Sequence, residues 1–158
     1  MSETLEVARL RVLYYCHLAP ITVQLTPTLT DPKLFPNAKD GFESFPMVTQ
    51  VSRFGQKYAM ADISGLTDDE VQHAVKKAAG HFWTDPLTLL RALEYLEGEY
   101  GFSRYPELTF TRVVAYHGPS WVTVAERLPS GGFKRLQREN PHAPWEQDTV
   151  GLFFIDSL

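Results

Sequence analysis

Hydrophobic and polar residues alternate near the start of the chain. Ala8, Leu10, Val12, Tyr14 and Cys16 fall on one side of a period-two pattern, with Arg9 and Arg11 on the other, which predicts a strand over 7–16. Leu5, Ala8, Val12 and Tyr15 are also spaced for one helix face, so residues 5–16 have a competing helical reading. Ile21, Val23 and Leu25 alternate with threonine and glutamine and predict a second strand, stopped or placed at a sheet edge by Pro27. Residues 31–46 combine three prolines, Asp40-Gly41 and the three rings Phe35, Phe42 and Phe45, a composition that predicts a long loop. Two β-rich runs, 47–54 and 57–63, surround Gly55-Gln56 and predict a hairpin.

The period then changes to that of a helix. Thr67 and Glu70 have the spacing of a capping box, followed by the stripe Val71, Ala74, Val75 and Ala78, with Gly80 as a stop; this predicts a helix over 67–79. Asp85-Pro86 opens a second helix, 86–100, whose apolar positions Leu87, Leu89, Leu90, Leu93, Leu96 and Tyr100 cover more than half its circumference before Gly101 ends it. Residues 108–117 and 121–128 predict a second hairpin across Gly118-Pro119-Ser120, with an apparent switch of buried face near Arg112 that suggests a bulge. Residues 133–148 are polar and interrupted by proline. The run 150–155 is continuously apolar and reads as an interior strand. Together these elements predict a single α+β domain over 1–158, with a mostly antiparallel sheet of two hairpins and a buried final strand, and a two-helix layer on one face.

Composition supports that reading. The chain has 158 residues, 44% hydrophobic and 22% charged, enough for one full core. No run of about 18 apolar residues occurs, which excludes a bilayer-spanning helix. Glu3, Glu6, Arg9 and Arg11 interrupt any signal-peptide centre, and the lone Cys16 has no partner for an internal disulfide, so a reducing, cytoplasmic setting is expected.

Charge and motifs narrow the chemistry. The net charge of −4 is of the wrong sign for general attraction to phosphates. No Cys-x-x-Cys, His-Glu-x-x-His, Gly-x-Ser-x-Gly, phosphate loop or Gly-x-Gly-x-x-Gly is present, and neither catalytic residues, a metal site nor a cofactor is assigned. Residues 80–102 bear a partial resemblance to a Nudix box. Gly80, Leu96, Glu99, Gly101 and Phe102 fall in register, but Pro86, Glu94, Tyr95 and Gly98 stand where Glu, Arg, Glu and Glu belong. One matching carboxylate cannot hold a hard cation, and a helix ending at Gly101 accounts for the pattern. Cys16 and His17 are adjacent on the predicted strand and point to opposite faces, so they cannot act on each other. Asp69 with His73, and His81 with Asp85, have i,i+4 spacing, but two ligands do not make a metal site.

The order helix, helix, hairpin also fits a winged helix with 86–100 as the recognition helix. That segment and its cap carry Asp85, Glu94, Glu97 and Glu99 against Arg91 alone, which would repel a phosphate backbone. Lys134, Arg135 and Arg138 form a short basic cluster that reads as a solvated face. What remains is an aromatic surplus in predicted loops: Phe35, Phe42 and Phe45, then His117 and Trp121 at the second hairpin tip, and Trp145. Aromatic anchors dominate protein interfaces. The sequence therefore favours a non-enzymatic protein-binding module of the inhibitor, immunity or assembly kind, with Phe35, Phe42, Phe45, His117 and Trp121 facing a protein partner. The alternative is a small enzyme or ligand-binding domain with a pocket between sheet and helices, using His117, His81 or Asp62. A nucleic-acid-associated regulator ranks third.

Overall fold

The computed structural model describes residues 11–18, 35–43, 45, 56–78, 84, 86–100, 110–118, 121–138 and 140–154. Among them are six strands, β1 (Arg11–Leu18), β2 (Gln56–Asp62), β3 (Arg112–Gly118), β4 (Trp121–Arg127), β5 (Phe133–Leu136) and β6 (Thr149–Phe154). Two helices, α1 (Asp68–Ala78) and α2 (Pro86–Tyr100), lie between β2 and β3. The strands form one open sheet in the order β1-β2-β6-β3-β4-β5, antiparallel throughout except for the β3–β6 pair. The α+β class and the mostly antiparallel sheet agree with the sequence pattern.

Each element follows from local chemistry. The Thr67 backbone N–H donates to Glu70 Oε1 at 3.0 Å, and the Glu70 N–H donates to Thr67 Oγ1 at 3.3 Å, so the capping box starts α1 as its spacing predicts. Asp68, Asp69 and Glu70 place negative charge in its first turn, where the helix dipole favours it. Pro86 opens α2 at the position where a missing N–H costs nothing. β6 lies between β2 and β3, with Val150, Gly151, Leu152 and Phe153 all buried, as a run without a polar face requires. A Cβ on Gly151 would fall 2.6 Å from the Phe153 ring and 3.3 Å from Ile63 Cγ2. The missing side chain leaves room for Phe153 to stack on Tyr116, ring centres 6.4 Å apart.

Both faces of the sheet carry a core. On one, Leu87, Leu90 and Leu93 of α2 pack with Met60, Val113, Ala115, Val150 and Leu152. On the other, Val71 of α1 packs with Ile63, Leu66, Val114, Tyr116, Trp145 and Phe153. Neighbours such as Val113 and Val114, or Leu152 and Phe153, fall into different clusters because successive strand residues face opposite ways. The helices are thus divided between the two faces rather than layered on one. An interior strand that is apolar on both sides needs cover on both sides, and each helix supplies one.

Three further expectations meet the structure differently. The β3–β4 register runs unbroken from Arg112↔Glu126 to Tyr116↔Val122, and the irregularity lies between Tyr116 and Gly118 at the hairpin tip, not near Arg112. Arg112 sits in an apolar run because its guanidinium pairs with Glu126 across the hairpin and with Glu146. Phe133–Leu136, within the segment expected to be irregular, forms the short strand β5. The predicted hairpin of 47–54 with 57–63 is not formed, because β2 has β1 on one edge and β6 on the other. Residues 47–54 themselves, the predicted strand 21–25, Gly80, His81, Asp85 and Gly101 lie outside the described residues, as does the Cys16 side chain.

Candidate functional site

The phenylalanine loop is core. Phe35 is 4% exposed, and Phe42 and Phe45 are fully buried, all three in the cluster beneath α2. Residues 37–40 run along β5: Phe133 N donates to Asn37 O at 2.8 Å, Lys39 N to Phe133 O at 2.7 Å and Arg135 N to Asp40 O at 2.8 Å. The backbone groups of the β5 edge are satisfied within the chain at these positions, which removes them as a template for pairing with another chain. Glu94 of α2 fastens the loop, accepting from the Asn37 N–H at 2.7 Å and from Asn37 Nδ2 at 2.8 Å. Its burial lifts its pKa above the usual carboxylate value, against the lowering effect of the Asn37 donors and of Lys39. Gly41, at φ 92°, turns the chain back so tightly that a Cβ there would lie 2.8 Å from Arg135 Cβ. Phe35, Phe42 and Phe45 are therefore not presented as partner anchors: the loop is pinned at its backbone, and its rings point inward.

His117 and Trp121 occupy the tip of the β3–β4 hairpin. His117 Nδ1 lies 2.5 Å from Thr84 O and Nε2 lies 2.7 Å from Thr123 Oγ1. A carbonyl only accepts, so Nδ1 carries a proton, and Nε2 is engaged by the Thr123 hydroxyl. With both nitrogens engaged, His117 acts as a bracket between β3, β4 and Thr84. Phe45 meets the same ring edge-on at 6.0 Å. Trp121 packs against it from outside, ring centres 4.6 Å apart, and remains 37% exposed, the exposed large hydrophobic residue among those described.

An open groove of about 560 Å³ adjoins Trp121 and is lined by Gly41, Val122, Arg135, Leu136, Gln137 and Arg138, among others. A second, of about 410 Å³, shares Leu136, Gln137 and Arg138 and continues toward Arg112, Trp145 and Glu146. Arg138 stands at their junction, its guanidinium 3.6 Å above the Trp145 ring. It donates to Asp68 Oδ1 at 2.5 Å, to Ala143 O at 2.7 Å and to Asn140 O at 3.2 Å. Tyr116 OH donates to the same Asp68 oxygen at 2.6 Å and accepts from Trp145 Nε1 at 2.8 Å. Burial, reinforced by the Asp68 carboxylate, pushes the Tyr116 pKa far up, so the phenol stays a hydrogen-bond donor.

The basic cluster read from the sequence is divided in the same way. Lys134 pairs with Glu126 at 3.3 Å and Arg138 with Asp68, while Arg135 lies over the Phe45 ring at 5.1 Å and takes part in none of the ion pairs among the described residues. Asp62, a polar candidate for a catalytic pocket, accepts from the Ser64 N–H at 3.0 Å in a local turn. The space between the sheet and α2 is filled by the leucine cluster, and the two grooves open elsewhere, along β4 and β5. Among the described residues no three His, Cys, Asp or Glu side chains converge as metal ligands, and no helix is long and apolar enough to cross a membrane. Compared with protein-family models, curated proteins and solved structures, the chain gives no significant match.

Proposed function

We propose that this chain is a non-enzymatic protein-binding module, and that its contact surface is the β3–β4 hairpin tip with the adjoining groove. One observation carries the reading: Trp121 is held by His117 on one side, open to solvent on the other, and borders a groove with apolar and guanidinium walls. A rigid aromatic ring beside a concavity is the usual form of an interface anchor, because it buries large area at small entropic cost. His117 supports the anchor from below, and its engaged nitrogens favour that role over acid–base chemistry.

The test is affinity capture from an extract of the source cell with three proteins: the native chain, Trp121→Ala and Glu99→Ala, the last altering an exposed position on α2. The reading expects one partner retained stoichiometrically by the native chain and by Glu99→Ala, and lost with Trp121→Ala at unchanged melting temperature. Equal capture by the native chain and Trp121→Ala would refute it.

A further inference from the structure

We propose that the groove beside Trp121 takes an acidic extended segment of a partner protein, with a carboxylate on the Arg135 guanidinium and an apolar neighbour against Trp121. The inference rests on the protein-binding reading and specifies the chemistry of the partner.

Arg135 differs from the other described cations around the grooves. Arg112, Lys134 and Arg138 each hold a carboxylate of this chain, whereas Arg135 is half-buried, rests on the Phe45 ring and takes part in none of those ion pairs. Its backbone is fixed as well, through the bond from Arg135 N to Asp40 O and the close approach of Gly41. A guanidinium pre-placed on an aromatic face loses little freedom on taking a carboxylate and offers it two parallel donors. The lining of this groove contains no carboxylate, and of its two guanidiniums Arg138 is already paired with Asp68, which leaves Arg135 as the charge to be met, within a chain of net charge −4. The exposed Glu43 lies just beyond, and its carboxylate accepts from the Gly41 N–H at 2.8 Å. Charge complementarity at the groove therefore selects an anion. Its apolar members, Trp121, Val122 and Leu136, select one attached to hydrophobic side chains, which favours an acidic peptide over nucleic acid. Alternate side chains of an extended segment face the same way, so a Glu-x-apolar spacing can meet both Arg135 and Trp121.

Fluorescence anisotropy with three fluorescein-labelled peptides of equal length, built on the repeat Xaa-Ser-Leu-Ser with glutamate, glutamine or lysine as Xaa so that Xaa and leucine share one edge, tests the proposal on the full chain. The glutamate peptide is expected to bind about tenfold or more tightly than the glutamine peptide, the increment of a charge-assisted pair, and the lysine peptide to bind weakest. Arg135→Gln is expected to bring glutamate-peptide affinity down to the glutamine-peptide level, and Trp121→Ala to weaken both. Arg135→Lys, which keeps the charge and loses the fork, falls between and serves where Arg135→Gln does not fold. Equal affinity for the glutamate and glutamine peptides, no glutamate-peptide binding at millimolar concentration, or tighter binding of an oligothymidine would each overturn the proposal. A captured partner that is lost with Trp121→Ala but kept by Arg135→Gln overturns the acidic chemistry and leaves the binding module standing. Absence of any Trp121-dependent partner overturns the module itself.

Discussion

Replacing Phe45 with alanine separates the two roles that an aromatic residue in a loop can have. The ring is fully buried, meets Phe42 edge-on at 5.4 Å and His117 at 6.0 Å, and carries the Arg135 guanidinium at 5.1 Å. Removing a phenylalanine from such a setting costs about 3 to 5 kcal/mol, transfer and cavity terms combined. At about 2 to 4 °C per kcal/mol for a chain of this size, the melting temperature falls by about 6 to 20 °C. Trp121→Ala removes a ring packed on one side only and is expected to cost under about 1 kcal/mol, the range of surface substitutions. Urea titrations followed by circular dichroism measure both, with an unchanged m-value as the check that the unfolding transition is the same. A Phe45→Ala protein that melts within about 2 °C of the native chain, less than 1 kcal/mol by the same conversion, would refute the placement of the loop in the core.

Other outcomes follow from the same contacts. Thr67→Ala removes the acceptor of the capping box and is expected to lower stability by about 1 kcal/mol, measured by thermal melt. Gly151→Ala forces a methyl into the Phe153 ring and is expected to cost about 1 to 3 kcal/mol, with altered near-ultraviolet dichroism as Phe153 and Tyr116 shift. Deleting 150–158 removes the strand that joins the two halves of the sheet, and the product is expected to lack a cooperative unfolding transition. Glu94 has a pKa raised by burial, so the folded state holds its proton more firmly than the unfolded chain does. Its contribution is complete below the ordinary value of 4.5 and is lost as pH rises through the raised one. Glu94→Gln is expected to flatten stability against pH in that window, and an unchanged slope would contradict the assignment.

The sequence reveals those parts of the fold whose signal is local. The capping box at Thr67, Pro86 at the head of α2 and the continuous apolar run of β6 each identify their element without help from the rest of the chain. Distribution of the helices between two faces was not legible, because an amphipathic stripe shows that a face is buried but not against which side of the sheet. Strand β5 has only four residues, two of them charged, and owes its place to β4 and to residues 37–40. In the site, the aromatic surplus pointed to Trp121 and His117 but could not distinguish them from Phe35, Phe42 and Phe45. The distinction rests on Glu94, Gly41 and the β5 backbone pinning the loop from distant positions. Arg135 was visible only as one of three basic residues, since its separation from Lys134 and Arg138 depends on carboxylates contributed by β4 and α1.

The most direct measurement is site-specific photo-crosslinking in extract of the source cell, with a benzophenone side chain at Val122 on the groove and, separately, at Glu99 on α2. The account predicts a discrete protein adduct from position 122 that disappears with Trp121→Ala, and none from position 99. An adduct from position 99 with none from 122, or a 122 adduct indifferent to Trp121, would contradict it.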